Sequence, residues 1–175
     1  PPEPRQPPLV TAGAWRFDSD SGAPEPLDPE LRAFLQAGAP PVLATLGTAV
    51  DAVGDAFFHA ALEAGRANGR RVLLVAGRGW SGPTRGDDFI VLRYAPYRTV
   101  FPLCAAVIHH GGMGTLTFAL EAVRPQVIVP VAFDQPGNAE MARRRGLASV
   151  VPVARLAGGA LARALGDALR RGVTP

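Results

Sequence analysis

Apolar residues in this chain fall into short dense runs: PVLATLG (41–47), RVLLVAG (71–77), FIVLRY (89–94), AAVIHH (105–110) and QVIVP (126–130), most of them bounded by glycine or proline. None alternates strictly with polar residues, which is how strands read when both faces of a parallel sheet are covered. Between the runs the spacing becomes helical. Val53, Phe57, Ala60, Ala61 and Ala64 share one face of a helix predicted over 53–67; shorter helical patterns span 115–123 and 138–145, and a last one spans 160–171. Alternating strands and helices predict an α/β fold, a Rossmann-like, doubly wound parallel sheet. Ligands of such sheets bind beyond the carboxyl ends of the strands, so the pattern doubles as a site map. Gly47–Thr48, Gly77 to Trp80, Tyr94, His109 to Thr115 and Phe133 to Gln135 should meet at one edge.

The first 29 residues break the pattern. They hold eight of the 18 prolines, in PPEPRQPP and APEPLDPE, and no apolar periodicity. Residues 1–30 are therefore expected to be a proline-rich linker and residues 31–175 a single domain, with the compact part beginning near Leu31. A linker at an amino terminus without an initiator methionine predicts the carboxyl-terminal part of a longer protein. No run approaches the roughly 18 to 20 apolar residues of a membrane span, and no targeting peptide is recognisable.

Composition narrows the partners. The formal charge is +3 and the pI about 10.0, which raises nucleic acid as a ligand. The 18 basic side chains are all arginine and scattered, however, and the one cluster, ARRRG (142–146), falls where a helix should end and complements its dipole. No nucleic-acid partner is expected. Cys104, the single cysteine, excludes an internal disulfide and fits a reducing, cytoplasmic setting.

Two motifs carry chemistry on their face. GRGWSG (77–82) satisfies the dinucleotide fingerprint, yet Pro83 to Asp88 reads as a turn and no acid lies about 20 residues on. HHGGMGT (109–115) admits three readings. A metal site is disfavoured because adjacent strand residues point to opposite faces and only His59 remains elsewhere. An anion cradle fits better. The glycines let backbone amides approach a ligand at the start of a helix, Thr115 can cap that helix or meet a phosphate oxygen, and a rim histidine adds a donor. A tight turn around a core histidine is the plain alternative. In FDQPGN (133–138), Asp134 and Gln135 suit vicinal hydroxyls such as those of a sugar, although Asp134 or Asn138 could equally cap a helix.

The run from Ala105 to Gly146 resembles the donor-binding signature of Leloir glycosyltransferases of the two-domain GT-B fold, family 1, on the bacterial and sterol glucosyltransferase-like branch. PPVLATLGT, GRGWSG, YAPYRTVFP and VTAGAWRFD extend the likeness. The resemblance implies the carboxyl-terminal half of a GT-B enzyme that binds a UDP- or dTDP-sugar as co-substrate, with no metal or other cofactor. It implies inverting transfer of the sugar to a hydroxyl of a hydrophobic acceptor held by an amino-terminal domain outside this chain, where the catalytic base also lies. Residue by residue, it implies that His110, Gly112, Gly114, Thr115, Gly47 and Thr48 face the diphosphate. Asp134 and Gln135 would hold the sugar, with Asp134 24 residues after His110 as in the family. Tyr94, Ala95 and Pro96 would border the nucleobase.

The chain departs from the pattern where Phe118 replaces a ribose-binding glutamate, for which Glu121 is the nearest substitute; Tyr97 replaces a glutamine or histidine, and Val123–Arg124 replaces a glycine. A nucleotide-sugar binding module without catalysis and a UDP-amino-sugar epimerase are the alternative functions.

Overall fold

A computed structural model describes residues 26–47, 53–157 and 159–172. Six strands form one parallel sheet: β1 (Val42–Thr45), β2 (Val72–Val75), β3 (Phe89–Leu92), β4 (Ala106–His109), β5 (Gln126–Ile128) and β6 (Ala148–Val150), in the order β3-β2-β1-β4-β5-β6. This is the doubly wound α/β sheet expected from the apolar runs. The chain moves outward from β1 through β2 to β3, then returns to start again at β4 beside β1. The order therefore reverses between β1 and β4, and a crevice opens beyond their carboxyl ends.

Side chains along each strand divide by parity. Val42, Ala44, Leu74 and Ile108 face α2 (Gly54–Ala67) and α6 (Ala160–Arg171). Leu43, Leu73, Val75 and Val107 face α1 (Pro29–Gln36), the short α3 (Tyr97–Val100) and α4 (Met113–Glu121). A third patch, Leu116, Ile128, Ala139 and Ala142, joins α4 and β5 to α5 (Gln135–Arg144). Both faces of β1, β2, β4 and β5 are buried, which is why their sequences lack polar alternation. Arg143 and Arg144 close the last turn of α5 and pair with Glu140, so the arginine cluster does serve a helix end.

Three elements were not predicted. α1 begins two residues before the expected start of the compact part: the Asp28 carboxylate accepts from the backbone N–H of Glu30 at 2.8 Å, and Pro29 opens the helix. Aspartate followed by proline is a helix-start signal that the surrounding proline content obscured. Leu27 packs against the core ahead of it. The linker boundary thus moves back to residue 26 or earlier, and residues 1–25 lie outside the described part. The short α3 and the three-residue edge strand β6 were also missed, because neither is long enough to show a period. After β2, the GRGWSG segment runs into turns that fold onto β3, with Trp80 donating to the Pro83 carbonyl and the Gly86 amide to that of Phe89. No helix follows it, which removes the dinucleotide reading. Among the described residues, no helix is long and apolar enough to cross a membrane.

Candidate functional site

The two histidines at the end of β4 have different fates. His109 is the last strand residue and is fully buried on the α4 side of the sheet. The Gly111 amide donates to its Nδ1 at 3.1 Å, so the ring proton sits on Nε2, which donates to Gln126 Oε1 at 3.0 Å. Burial pushes its pKa down to about 3, which keeps it neutral. Both ring nitrogens are occupied by protein groups. His109 is the core histidine of the plain reading.

His110 lies beyond the strand and spans the crevice between β1 and β4. A Cβ built on Gly47 would stand 2.8 Å from its Cε1, and one on Gly112 would stand 2.4 Å from its Nε2. Only glycine on both sides admits the ring here, and Gly47 also takes a left-handed φ of 67°. The Nδ1 of His110 is buried and has no hydrogen-bond partner among the described residues, with the Thr45 carbonyl as a polar neighbour of the ring. Desolvation holds the imidazole below its ordinary pKa, while the Asp134 carboxylate and the Thr45 carbonyl oppose that shift. Such a group gains a proton most readily when an anion arrives.

Gly112 is the N-cap of α4 and, as glycine, supplies no side-chain capping bond. The amides of its first turn therefore face the crevice with the positive end of the helix dipole behind them. Thr115 is the third helical residue and nearly buried, so the capping role considered for it does not hold. Gly111 is seated tightly, since a Cβ there would stand 2.8 Å from the Ile128 side chain; its φ of 92° reverses the chain between strand and helix.

On the β1 side, Thr45 is a fully used hydroxyl. Its Oγ1 donates to the Val75 carbonyl at 3.0 Å and accepts from the Gly47 amide at 3.3 Å and from the Tyr97 hydroxyl at 2.9 Å. Because a carbonyl can only accept, the tyrosine must be the donor in the last of these. Tyr97 thus ties the segment after β3 to the end of β1. Its ring stacks on Phe101 at 4.5 Å and meets Phe118 edge-on at 6.1 Å. Phe118 packs in the core.

Asp134 occupies the N-cap position of α5 but makes no capping bond, and its Oδ2 accepts instead from Asn138 Nδ2 at 2.8 Å. Gln135 is buried, with Oε1 accepting from the amides of Val131 at 2.9 Å and Ala132 at 3.0 Å. That oxygen braces the loop, so only the amide nitrogen of Gln135 is left to a ligand, a narrower role than expected. Phe133, exposed just before Asp134, is held at a φ of 58°, a costly conformation for a large side chain.

The remaining candidates are spread out. Tyr94 is exposed at the end of β3, whereas Ala95 and Pro96 are buried, Pro96 as the N-cap of α3. Glu121 ends α4, about 12 Å along the axis from its first residue at 1.5 Å per residue, and so is not brought to the crevice. Thr48 lies outside the described residues. Among the described residues, no group of three histidines, cysteines or acids could hold a metal. Sequence reasoning did not single out Thr45, Gln126 or the bridging role of Asn138, because each bonds a residue 17 or more positions away, Val75, His109 and Gly111 respectively, which only folding brings near.

Comparison with known proteins places this geometry in context. Residues 86–172 match the family model described as Erythromycin biosynthesis protein CIII-like, C-terminal domain. The chain is 42% identical over 133 residues to vancomycin aglycone glucosyltransferase of Amycolatopsis orientalis, covering 73% of this chain and 30% of that protein. It is also 42% identical over 152 residues to O-mycaminosyltylonolide 6-deoxyallosyltransferase of Streptomyces fradiae, covering 86% and 35%. Its fold is similar to that of glycosyltransferase VinC in complex with dTDP, with a TM-score of 0.62 and 28% identity over 83% of this chain and 37% of VinC. The chain spans about a third of the length of these relatives.

Proposed function

We propose a donor-binding role on one premise: the chain belongs to the family of Erythromycin biosynthesis protein CIII-like C-terminal domains of GT-B glycosyltransferases. In this reading the turn between β4 and α4 holds the diphosphate of a UDP- or dTDP-sugar. Gly112, Gly114 and Thr115 present amides, and His110 and Gly47 close the crevice from the β1 side. Asp134 and the amide nitrogen of Gln135 meet the sugar, and Tyr94 with the Ala95–Pro96 backbone borders the nucleobase. Thr48 belongs to the same diphosphate loop by its place in the sequence. The observation that carries the reading is the His110 ring, lodged between two glycines at an uncapped helix start with one nitrogen buried and unpartnered.

The chemistry follows from where charge develops. In an inverting transfer, an acceptor hydroxyl attacks the anomeric carbon from the face opposite the nucleotide, and the bond to the diphosphate oxygen breaks as negative charge gathers there. A helix dipole and an imidazole that protonates as an anion approaches stabilise that charge more than they stabilise the intact donor. In the two-domain GT-B arrangement that the family resemblance implies, the base and the pocket for a hydrophobic acceptor belong to an amino-terminal domain outside this chain. The chain alone is then expected to bind donor without turning it over. Phe118 offers no support for a binding module that has lost catalysis, because it packs in the core.

Calorimetric titration of the chain with UDP, dTDP, UDP-glucose and dTDP-glucose tests the proposal. Binding of at least one nucleoside diphosphate, lost in His110→Ala, is the expected result. Failure of all four to bind would overturn it.

A further inference from the structure

We propose that Asn138 is a positioning residue that couples the two halves of this site, an inference that rests on the donor-binding reading above. Its Nδ2 carries two hydrogens and both are used. One goes to the Gly111 carbonyl at 3.0 Å and the other to Asp134 Oδ2 at 2.8 Å. One carboxamide thus spans the glycine turn after β4 and the acidic turn after β5, which are joined by nothing else across their polar groups in the described hydrogen bonds.

The consequence on the glycine side is orientation. Gly111 has its N–H taken by His109 and its C=O taken by Asn138, so both polar groups of this residue are tied inward from opposite directions. The backbone leaving Gly111 then has one course open to it, which directs the amides of Gly112, Met113 and Gly114 toward the crevice. The tie is two-layered, because Gln126 fixes the tautomer of His109 that lets Nδ1 accept. On the acidic side, the bond to Oδ2 leaves Oδ1 as the free face of the Asp134 carboxylate, and prevents it from turning to cap α5. Asn138 sits in the second turn of α5, where its own backbone N–H already bonds the Asp134 carbonyl at 3.0 Å. Removing its side chain therefore costs the helix little.

The test uses the chain with UDP against UDP-glucose, or dTDP against dTDP-glucose, whichever pair the parent binds. Asp134→Ala should weaken the sugar-bearing ligand more than the diphosphate alone. Asn138→Ala should weaken both, the diphosphate by about fivefold and the nucleotide sugar by about tenfold or more, as expected for one and two lost hydrogen bonds. In an Asp134→Ala background, Asn138→Ala should keep its effect on the diphosphate and lose its extra effect on the sugar. An isosteric Asn138→Asp, which replaces both donors with an acceptor, should be at least as damaging.

A ligand-free arm separates this inference from the function it rests on. Hydrogen exchange at the Gly111 amide should accelerate at least about tenfold in Asn138→Ala, while the Val107 amide within β4 stays protected. If no nucleotide binds but exchange at Gly111 responds, the donor reading fails and the positioning role stands. Unchanged exchange at Gly111, or equal losses for both ligands in every variant, would overturn the positioning role.

Discussion

Gly112→Ala isolates the contact on which the site depends. The backbone at Gly112 has φ −61° and ψ 140°, a conformation open to alanine, so the change adds no dihedral strain. Alanine is a poorer N-cap than glycine by several tenths of a kcal/mol, partly offset by about 0.5 kcal/mol of lost freedom in the unfolded chain. Stability should therefore change by less than about 1 kcal/mol. The added methyl, however, falls 2.4 Å from His110 Nε2 and 3.0 Å from Cε1, and under 3.0 Å something must move. On the other side Gly47 packs close, since a Cβ there would stand 2.8 Å from the ring's Cε1. His110 must shift away from the Gly112 turn, and in the donor-binding reading its contact with the anion is lost. A hydrogen bond to a charged group is worth about 1.5 to 3 kcal/mol, which is about a 10- to 150-fold loss in affinity for a nucleoside diphosphate.

Thermal unfolding and calorimetric titration of Gly112→Ala, His110→Ala and the double variant give the answer together. Because both changes remove one interaction, the double variant should lose little more than either single one. Gly137→Ala serves as the control, since its Cβ would meet nothing within 4 Å and its helical position gains about 0.5 to 1 kcal/mol. Undiminished affinity in Gly112→Ala, or additive losses in the double variant, would refute the placement of His110 against the ligand.

Further outcomes are expected elsewhere in the site. His110→Ala should weaken diphosphate binding far more than it lowers stability, whereas His109→Ala should lower stability by about 2 to 4 kcal/mol by stranding the Gly111 amide and Gln126; melting and titration of the pair separate them, and equal effects would remove the distinction. Donor affinity should rise as pH falls below neutrality, because an anion restores the His110 pKa that burial has lowered; calorimetry in buffers of different ionisation heat should register proton uptake that His110→Gln abolishes. Stability should move the other way. The folded chain holds His109 at about 3 and His110 below its ordinary value, so between about pH 6.5 and 3 the unfolded chain binds more protons and stability falls as pH drops. Denaturant titrations across that range should show the slope reduced in His109→Gln, and an unchanged slope would count against the buried neutral ring.

The sequence by itself determined the layer architecture and the edge where chemistry gathers. Dense apolar runs separated by helical spacing admit few packings other than a covered parallel sheet, and the carboxyl ends of the strands follow from connectivity. Glycines placed between a strand and a helix likewise mark the turn where backbone amides lie open. What the sequence left open is which groups face that turn. HHGG does not say which histidine is core; that was decided by parity at the end of β4 and by Gln126, 17 residues away, which offers His109 an acceptor. DQ does not say that the glutamine oxygen turns inward to two amides while the aspartate is steered by Asn138. Phe118 read as a departure at the ribose contact, and the sequence did not say that Tyr97 packs edge-on against its ring. Periodicity is a property of neighbours along the chain and survives in the sequence. A hydrogen bond between turns joins residues brought together only by folding, and its geometry is written nowhere else.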